Sequence, residues 1–77
     1  MYHRDVANDF TLIFEKGDGG WWVASIPEIP GAVSQGKTQG EARKMVKDCA
    51  RELMVFRREE ALKAKGVAKV EHFKLTG

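Results

Sequence analysis

Apolar and polar positions alternate over residues 9–15, with Phe10, Leu12 and Phe14 on one side and Thr11, Ile13 and Glu15 on the other. That period of two is what a half-buried strand requires, and Phe10, Leu12 and Phe14 are expected to face the core. Lys16-Gly17-Asp18-Gly19-Gly20 follows and supplies positive-φ positions, so the pattern predicts a hairpin into a second strand over residues 21–26. In that strand Trp22, Ala24 and Ile26 share one face and Trp21, Val23 and Ser25 the other. Pro27 and Pro30 cannot donate ladder hydrogen bonds and Gly31 permits a turn, so residues 27–31 end the strand. A short third strand is expected at about residues 32–35.

The period then changes. Thr38 and Glu41 stand three apart, the spacing of a capping box in which the threonine oxygen accepts from the N3 amide and the glutamate reaches back to the N-cap amide. Ala42, Met45, Val46, Cys49, Leu53 and Phe56 recur at three and four residues, one apolar stripe that is expected to lie on the sheet. Lys63, Lys65 and Gly66 read as the helix end, which predicts a helix on the order of 40 Å, about twice the length of a six-residue strand. Its second half must overhang or bend, and the charged run Arg57-Arg58-Glu59-Glu60, past the Phe56 that closes the stripe, is the expected place of a bend or of a change of packing face. Residues 67–75, with Val70, Phe73 and Leu75, predict a short final strand beside the sheet. The fold class is therefore α+β, in the order β-β-β-α-β: a three-stranded antiparallel sheet, one long helix packed on it, and a last strand.

Composition narrows the functional classes. The 77 residues are 43% hydrophobic and 31% charged, without linker, repeat or low-complexity stretch, so residues 1–77 are read as a single domain. A domain this short buries only about 60% of the surface its unfolded chain exposes, and self-association into a dimer or higher oligomer is expected to supplement its core. No apolar run approaches the roughly 20 residues that cross a bilayer, and residues 1–6 lack the apolar centre of a signal peptide, which predicts a cytoplasmic protein without a membrane partner. Cys49 is the only cysteine, so neither an intrachain disulfide nor a thiolate zinc site can form. A net charge of +2 points to weak affinity for nucleic acid at most.

Candidate chemistry is sparse. A metal-dependent nuclease gathers carboxylates around cations, and here Asp9, Glu15, Asp48 and Glu52 are scattered and read as solvated surface. His3 and His72 sit near opposite ends without partners at metal-ligand spacing. Gly17, Gly19 and Gly20 lack the Lys-Ser/Thr pair and following helix of a phosphate cradle. Neither a catalytic residue, a metal nor a cofactor is predicted. Trp21 and Trp22 must point to opposite faces of their strand, so only one can serve the helix-covered core; the other is either an exposed partner anchor or partly covered by the helix or last strand. Lys37, Arg43, Lys44, Lys47 and Arg51 make a basic helix face, weakened by Glu41, Asp48 and Glu52 among them.

Gly19-Gly20-Trp21-Trp22-Val23-Ala24-Ser25-Ile26-Pro27-Glu28-Ile29-Pro30-Gly31 and then Gly36-Lys37-Thr38-Gln39-Gly40-Glu41-Ala42 resemble the HicB family of bacterial and archaeal antitoxins. That family joins a Gly-aromatic strand, a PELPG-like turn, a GDT-like lead into the helix and an EA helix start in this order, and the likeness covers residues 9–56. Lys37 stands where an acidic residue is usual, and so does Gly40; both remove negative charge near the helix N-terminus. The resemblance implies a degenerate ribonuclease-H-like domain without nuclease carboxylates, which binds a small RNA-cleaving toxin, HicA, and occludes its active site. Many members add a C-terminal DNA-binding domain, and nothing after Leu75 could form one. On this basis Trp21, Glu28 and Ile29 are the expected partner-binding residues and Gly31, Thr38 and Glu41 the expected structural ones. The alternative is an orphan structural or RNA-binding homodimer of the same fold.

Overall fold

The computed structural model describes residues 9–74. Strands β1 (Ile13–Lys16), β2 (Trp22–Ser25) and β3 (Val33–Gly36) form one antiparallel sheet in the order β1-β2-β3, and helix α1 (Gln39–Leu62) follows. A short 3₁₀ turn over Asp18–Gly20 joins β1 to β2, with Gly19 and Gly20 both at positive φ. The register aligns Phe14 with Ala24 and Ser34, and Lys16 with Trp22 and Gly36, on the helix side of the sheet. Because side chains alternate, the rows Ile13–Ser25–Val33 and Glu15–Val23–Gln35 point the other way.

Small residues make up most of the core. Ala24, Ile26, Ile29, Ala32, Ala42, Val46 and Ala50 are buried, with Leu12, Phe14, Trp22 and Leu53 packed around them. Ala42, Val46 and Ala50 stand four apart on one ridge of α1, and this ridge lies on β3 and β2. The close approach is possible because Gly36 has no side chain: a Cβ there would lie 2.6 Å from the Ala42 amide nitrogen. Rolling the helix onto its Ala-Val-Ala ridge moves Met45 to the flank, where it is exposed, and Cys49 is only half-buried. Phe56 is exposed for another reason, since a 24-residue helix runs about 36 Å and a four-residue strand about 13 Å, so Phe56 stands past the sheet.

Pro27 to Gly31 forms the expected turn, closed by Ile29 N to Ile26 O and Ala32 N to Ile29 O, both 3.0 Å. It is fastened to the helix. The Arg57 guanidinium donates to Pro30 O at 2.5 Å, the Cys49 thiol lies 3.8 Å from Gly31 O, and Gly31 takes φ 91° beneath Leu53. At the start of α1 the Thr38 hydroxyl accepts from the Glu41 amide at 3.0 Å. The Glu41 carboxylate accepts at 2.6 Å from Lys37 N, one residue before the N-cap, where a standard box would use Thr38 N.

Four expectations need correction. Phe10 is 52% exposed, because the ladder begins only at Ile13 and α1 covers β3 and β2, leaving the helix side of the chain before β1 open. The helix is continuous through Arg57-Arg58-Glu59-Glu60, which needs no bend because its overhang is simply solvated. It ends at Leu62, with the Lys63 amide on Glu59 O and Glu60 O at 3.2 Å, and Gly66, at φ 83°, turns the chain later. No strand forms over residues 67–74; Leu75 lies outside the described residues. The helix outruns the sheet by roughly 20 Å, and Val67 and Val70 instead fold back beside Arg58, Ala61 and Leu62.

Two glycine substitutions of opposite sign test this packing. Gly36→Ala drives a methyl group into the helix backbone and should cost about 1–3 kcal/mol. Gly40, whose added Cβ would meet nothing closer than 3.9 Å, should gain about 0.4–1 kcal/mol on replacement by alanine. Urea denaturation of both variants against the parent chain measures the pair.

Candidate functional site

The sheet has one covered face and one open face, and the open face carries the candidate binding surface. Ile13 and Val33 stand on either side of Ser25 in one row, 42% and 55% exposed, because no element packs over them. Glu15, Val23 and Gln35 form the next row. Trp21 continues the parity of Val23 and is 38% exposed, seated between the Gly19-Gly20 turn and Lys37. Val23 on the central strand lies between Glu15 and Gln35, and Ile13 and Val33 on the edge strands flank Ser25, so apolar positions alternate with polar ones across a face that another protein could cover.

Cations hold the aromatic rings in place. The Lys37 ammonium lies 5.9 Å from the centre of the Trp21 ring, Lys16 lies 4.6 Å from Trp22, and the Arg43 guanidinium lies 5.2 Å from Phe14. Trp22 is thereby the core tryptophan and Trp21 the outward one, which settles the choice that alternation alone left open.

The structure does not bring the other two expected contact residues to Trp21. Glu28 and Ile29 follow the far end of β2, whereas Trp21 precedes its near end. Ile29 is 8% exposed and belongs to the core. The Glu28 carboxylate accepts from Thr11 N at 2.9 Å and from the Thr11 hydroxyl at 2.6 Å, so it ties the approach to β1 onto the turn. A PELPG-like turn in sequence therefore serves as a clamp inside the fold. Gly31, Thr38 and Glu41 take structural positions.

A second concavity, of about 420 Å³, opens on the helix side beside Phe10, Leu12, Ala50 and Met54, with Lys47 and Arg51 at its rim. It exists because α1 sits over β2 and β3. Neither Phe10 nor Met54 could be assigned to a groove from sequence, since periodicity places one in the core and the other off the stripe.

Among the described residues no three His, Cys, Asp or Glu side chains gather where they could hold a metal ion. Asp48 is engaged by Lys44 at 3.1 Å and Arg51 at 2.8 Å. These cations, the Lys44 hydrogen bond first, hold its carboxyl below the ordinary carboxylate value. Of the basic helix face, Lys44 and Arg51 thus serve Asp48, while Arg43 and Lys37 stack on rings. His72 lies beside the last helical turns, and His3 lies outside the described residues. No helix among the described residues is long and apolar enough to cross a membrane.

No family model matches the chain. It is 38% identical over 42 residues to a UPF0150 protein of Thermoplasma acidophilum, a stretch that covers 54% of this chain and 61% of that protein's length. It is also similar to the crystal structure of the N-terminal domain of the Burkholderia pseudomallei antitoxin HicB, 30% identical, covering 87% of this chain and 72% of that one with a TM-score of 0.48.

The two tryptophans should behave differently on truncation. Trp22→Ala empties part of the core and should cost about 3 kcal/mol, whereas Trp21→Ala should cost about 1 kcal/mol. Chemical denaturation gives both values, and acrylamide should quench the Trp21 emission more than that of Trp22 in the corresponding single-tryptophan variants.

Proposed function

We propose, from the premise that the chain is HicB-like in sequence, that it is a non-catalytic antitoxin-type binding protein that neutralises a HicA-type RNA-cleaving toxin by covering its active site. The observation that carries this reading is the open sheet face, where Trp21, Ile13 and Val33 remain exposed while the opposite face is closed by α1. A rigid tryptophan among aliphatic residues buries a large area at little entropic cost, and such residues dominate interface energetics. With a net charge of +2 the chain would not draw in a basic RNA-binding toxin by charge, so fit and apolar contact must hold the complex.

In this reading the fold is a degenerate ribonuclease-H-like one, the protein works in the cytoplasm, and the scaffold acts as a homo-oligomer. The RNA-binding alternative draws on the basic helix face. It is weakened by the engagement of Lys37, Arg43, Lys44 and Arg51 within the chain itself.

Co-expression with the small protein encoded beside this one, affinity purification and an RNA-cleavage assay of that partner alone and in complex test the proposal. The expected result is a complex that silences cleavage, weakened at least about tenfold by Trp21→Ala or Val33→Asp, the ratio given by 1.4 kcal/mol. A partner that cleaves RNA equally well in the presence of this chain would overturn it. Tight, salt-sensitive RNA binding by the chain alone would favour the alternative.

A further inference from the structure

We propose that the open sheet face selects its partner by charge order: a carboxylate of the partner protein seats on Lys37 beside Trp21, and a cationic side chain of the same partner meets Glu15. This deepens the binding reading above and rests on it. Across the rows Ile13–Ser25–Val33 and Glu15–Val23–Gln35, Glu15 is the one ionisable side chain. Past the ladder the same face continues through Gly17, Trp21 and Lys37. The Gly17 amide donates to Trp21 O at 2.7 Å, and the Lys37 ammonium lies 5.9 Å from the centre of the Trp21 ring. Glu15 therefore stands on β1 and Lys37 just past β3, on opposite sides of the central strand. Two strand spacings and one side-chain repeat put their Cα atoms roughly 12 Å apart.

Neither charge is neutralised within the chain. Among the described residues no ion pair includes Glu15 or Lys37, and the Glu41 carboxylate is bound to the Lys37 backbone amide, not to its ammonium. A protein that covers Trp21 takes the Lys37 ammonium out of water with it. An indole ring offers that ammonium no oxygen acceptor, and a charge buried without an ionic partner weakens a complex severely. The partner must then bring an oxygen to this position, and a carboxylate answers both the charge and the N–H donors. There is room for it. A concavity of about 210 Å³ lies among Gly19, Gly20, Trp21 and Lys37. An added Cβ at Gly20 would meet nothing within 4 Å, and one at Gly19 only the Trp21 ring at 3.7 Å, so that side is bare backbone. A nucleic-acid strand laid along the face would instead set its phosphates against Glu15 as well. A protein with the reverse order, a base over Lys37 and an acid over Glu15, is rejected twice.

Titration calorimetry of the complex with the small protein encoded beside this one, using the parent chain, K37E, E15K and the double reversal, tests this. K37E and E15K should each bind at least about tenfold more weakly, the ratio that 1.4 kcal/mol gives, and the double variant more weakly than either. The free variants should keep the denaturation midpoint of the parent chain, since both side chains are exposed. A scan of single Asp→Lys and Glu→Lys changes over the partner should contain one that binds K37E more tightly than it binds the parent chain. If K37E and E15K bind as tightly as the parent while Trp21→Ala and Val33→Asp bind weakly, the open face stands as the binding surface and the charge order is overturned. A scan without a compensating change would overturn it too. Failure of the parent chain to form the complex would overturn the binding reading and this inference with it. An RNA oligonucleotide bound by the parent chain and released by K37E would assign Lys37 to phosphate instead of a carboxylate.

Discussion

At Gly36 the backbone of β3 comes so near to α1 that a single methyl group would lie 2.6 Å from a helix amide nitrogen. Most of the remaining architecture depends on that approach. It is made along a seam of small residues, Ala24 and Ala32 from the sheet side and Ala42 and Ala50 from the helix, with Val46 the largest side chain that is fully buried. Small side chains bring two backbones together, and dispersion attraction summed over many short distances replaces the area that larger residues would bury. The helix is thereby drawn over β2 and β3, and the helix side of the chain before β1 is left as a groove.

One helix cannot cover two faces of a sheet. The face turned from α1 keeps Ile13, Val33 and Trp21 exposed, and the part of α1 beyond the sheet keeps Val55, Phe56 and Leu62 exposed. These two exposed surfaces lie on different elements, one on the sheet and one on the helix.

The polar residues are largely occupied in holding this frame together. Glu28 clamps Thr11, Glu41 and Thr38 fix the start of the helix, Arg57 and Cys49 secure the turn, and Lys16, Lys37 and Arg43 cover aromatic rings. Asp48, one of the four scattered carboxylates, is paired with two cations that favour its ionised form. What a nuclease would use for chemistry is here used for position.

Local patterns by themselves determined the three strands, the Gly-rich hairpin, the Pro27 to Gly31 turn, the Thr38 cap and the existence of one long helix, because period, turn chemistry and capping act over a few residues. The HicB-like motif was legible for the same reason, being a string of such local signals. Three-dimensional packing decided what depends on distance between elements. Gly36 mattered through what sits above it, and Phe10 and Phe56 were exposed because cover ran out. Ile29 turned into the core and Glu28 reached across to Thr11 because the turn they occupy folds back on the helix and on the chain before β1. The final strand did not form because the helix carried residues 67–74 beyond the sheet. Hydrophobic periodicity reports which face of an element is apolar; which part of that face is covered is set by the lengths and offsets of the elements, and only tertiary structure holds those.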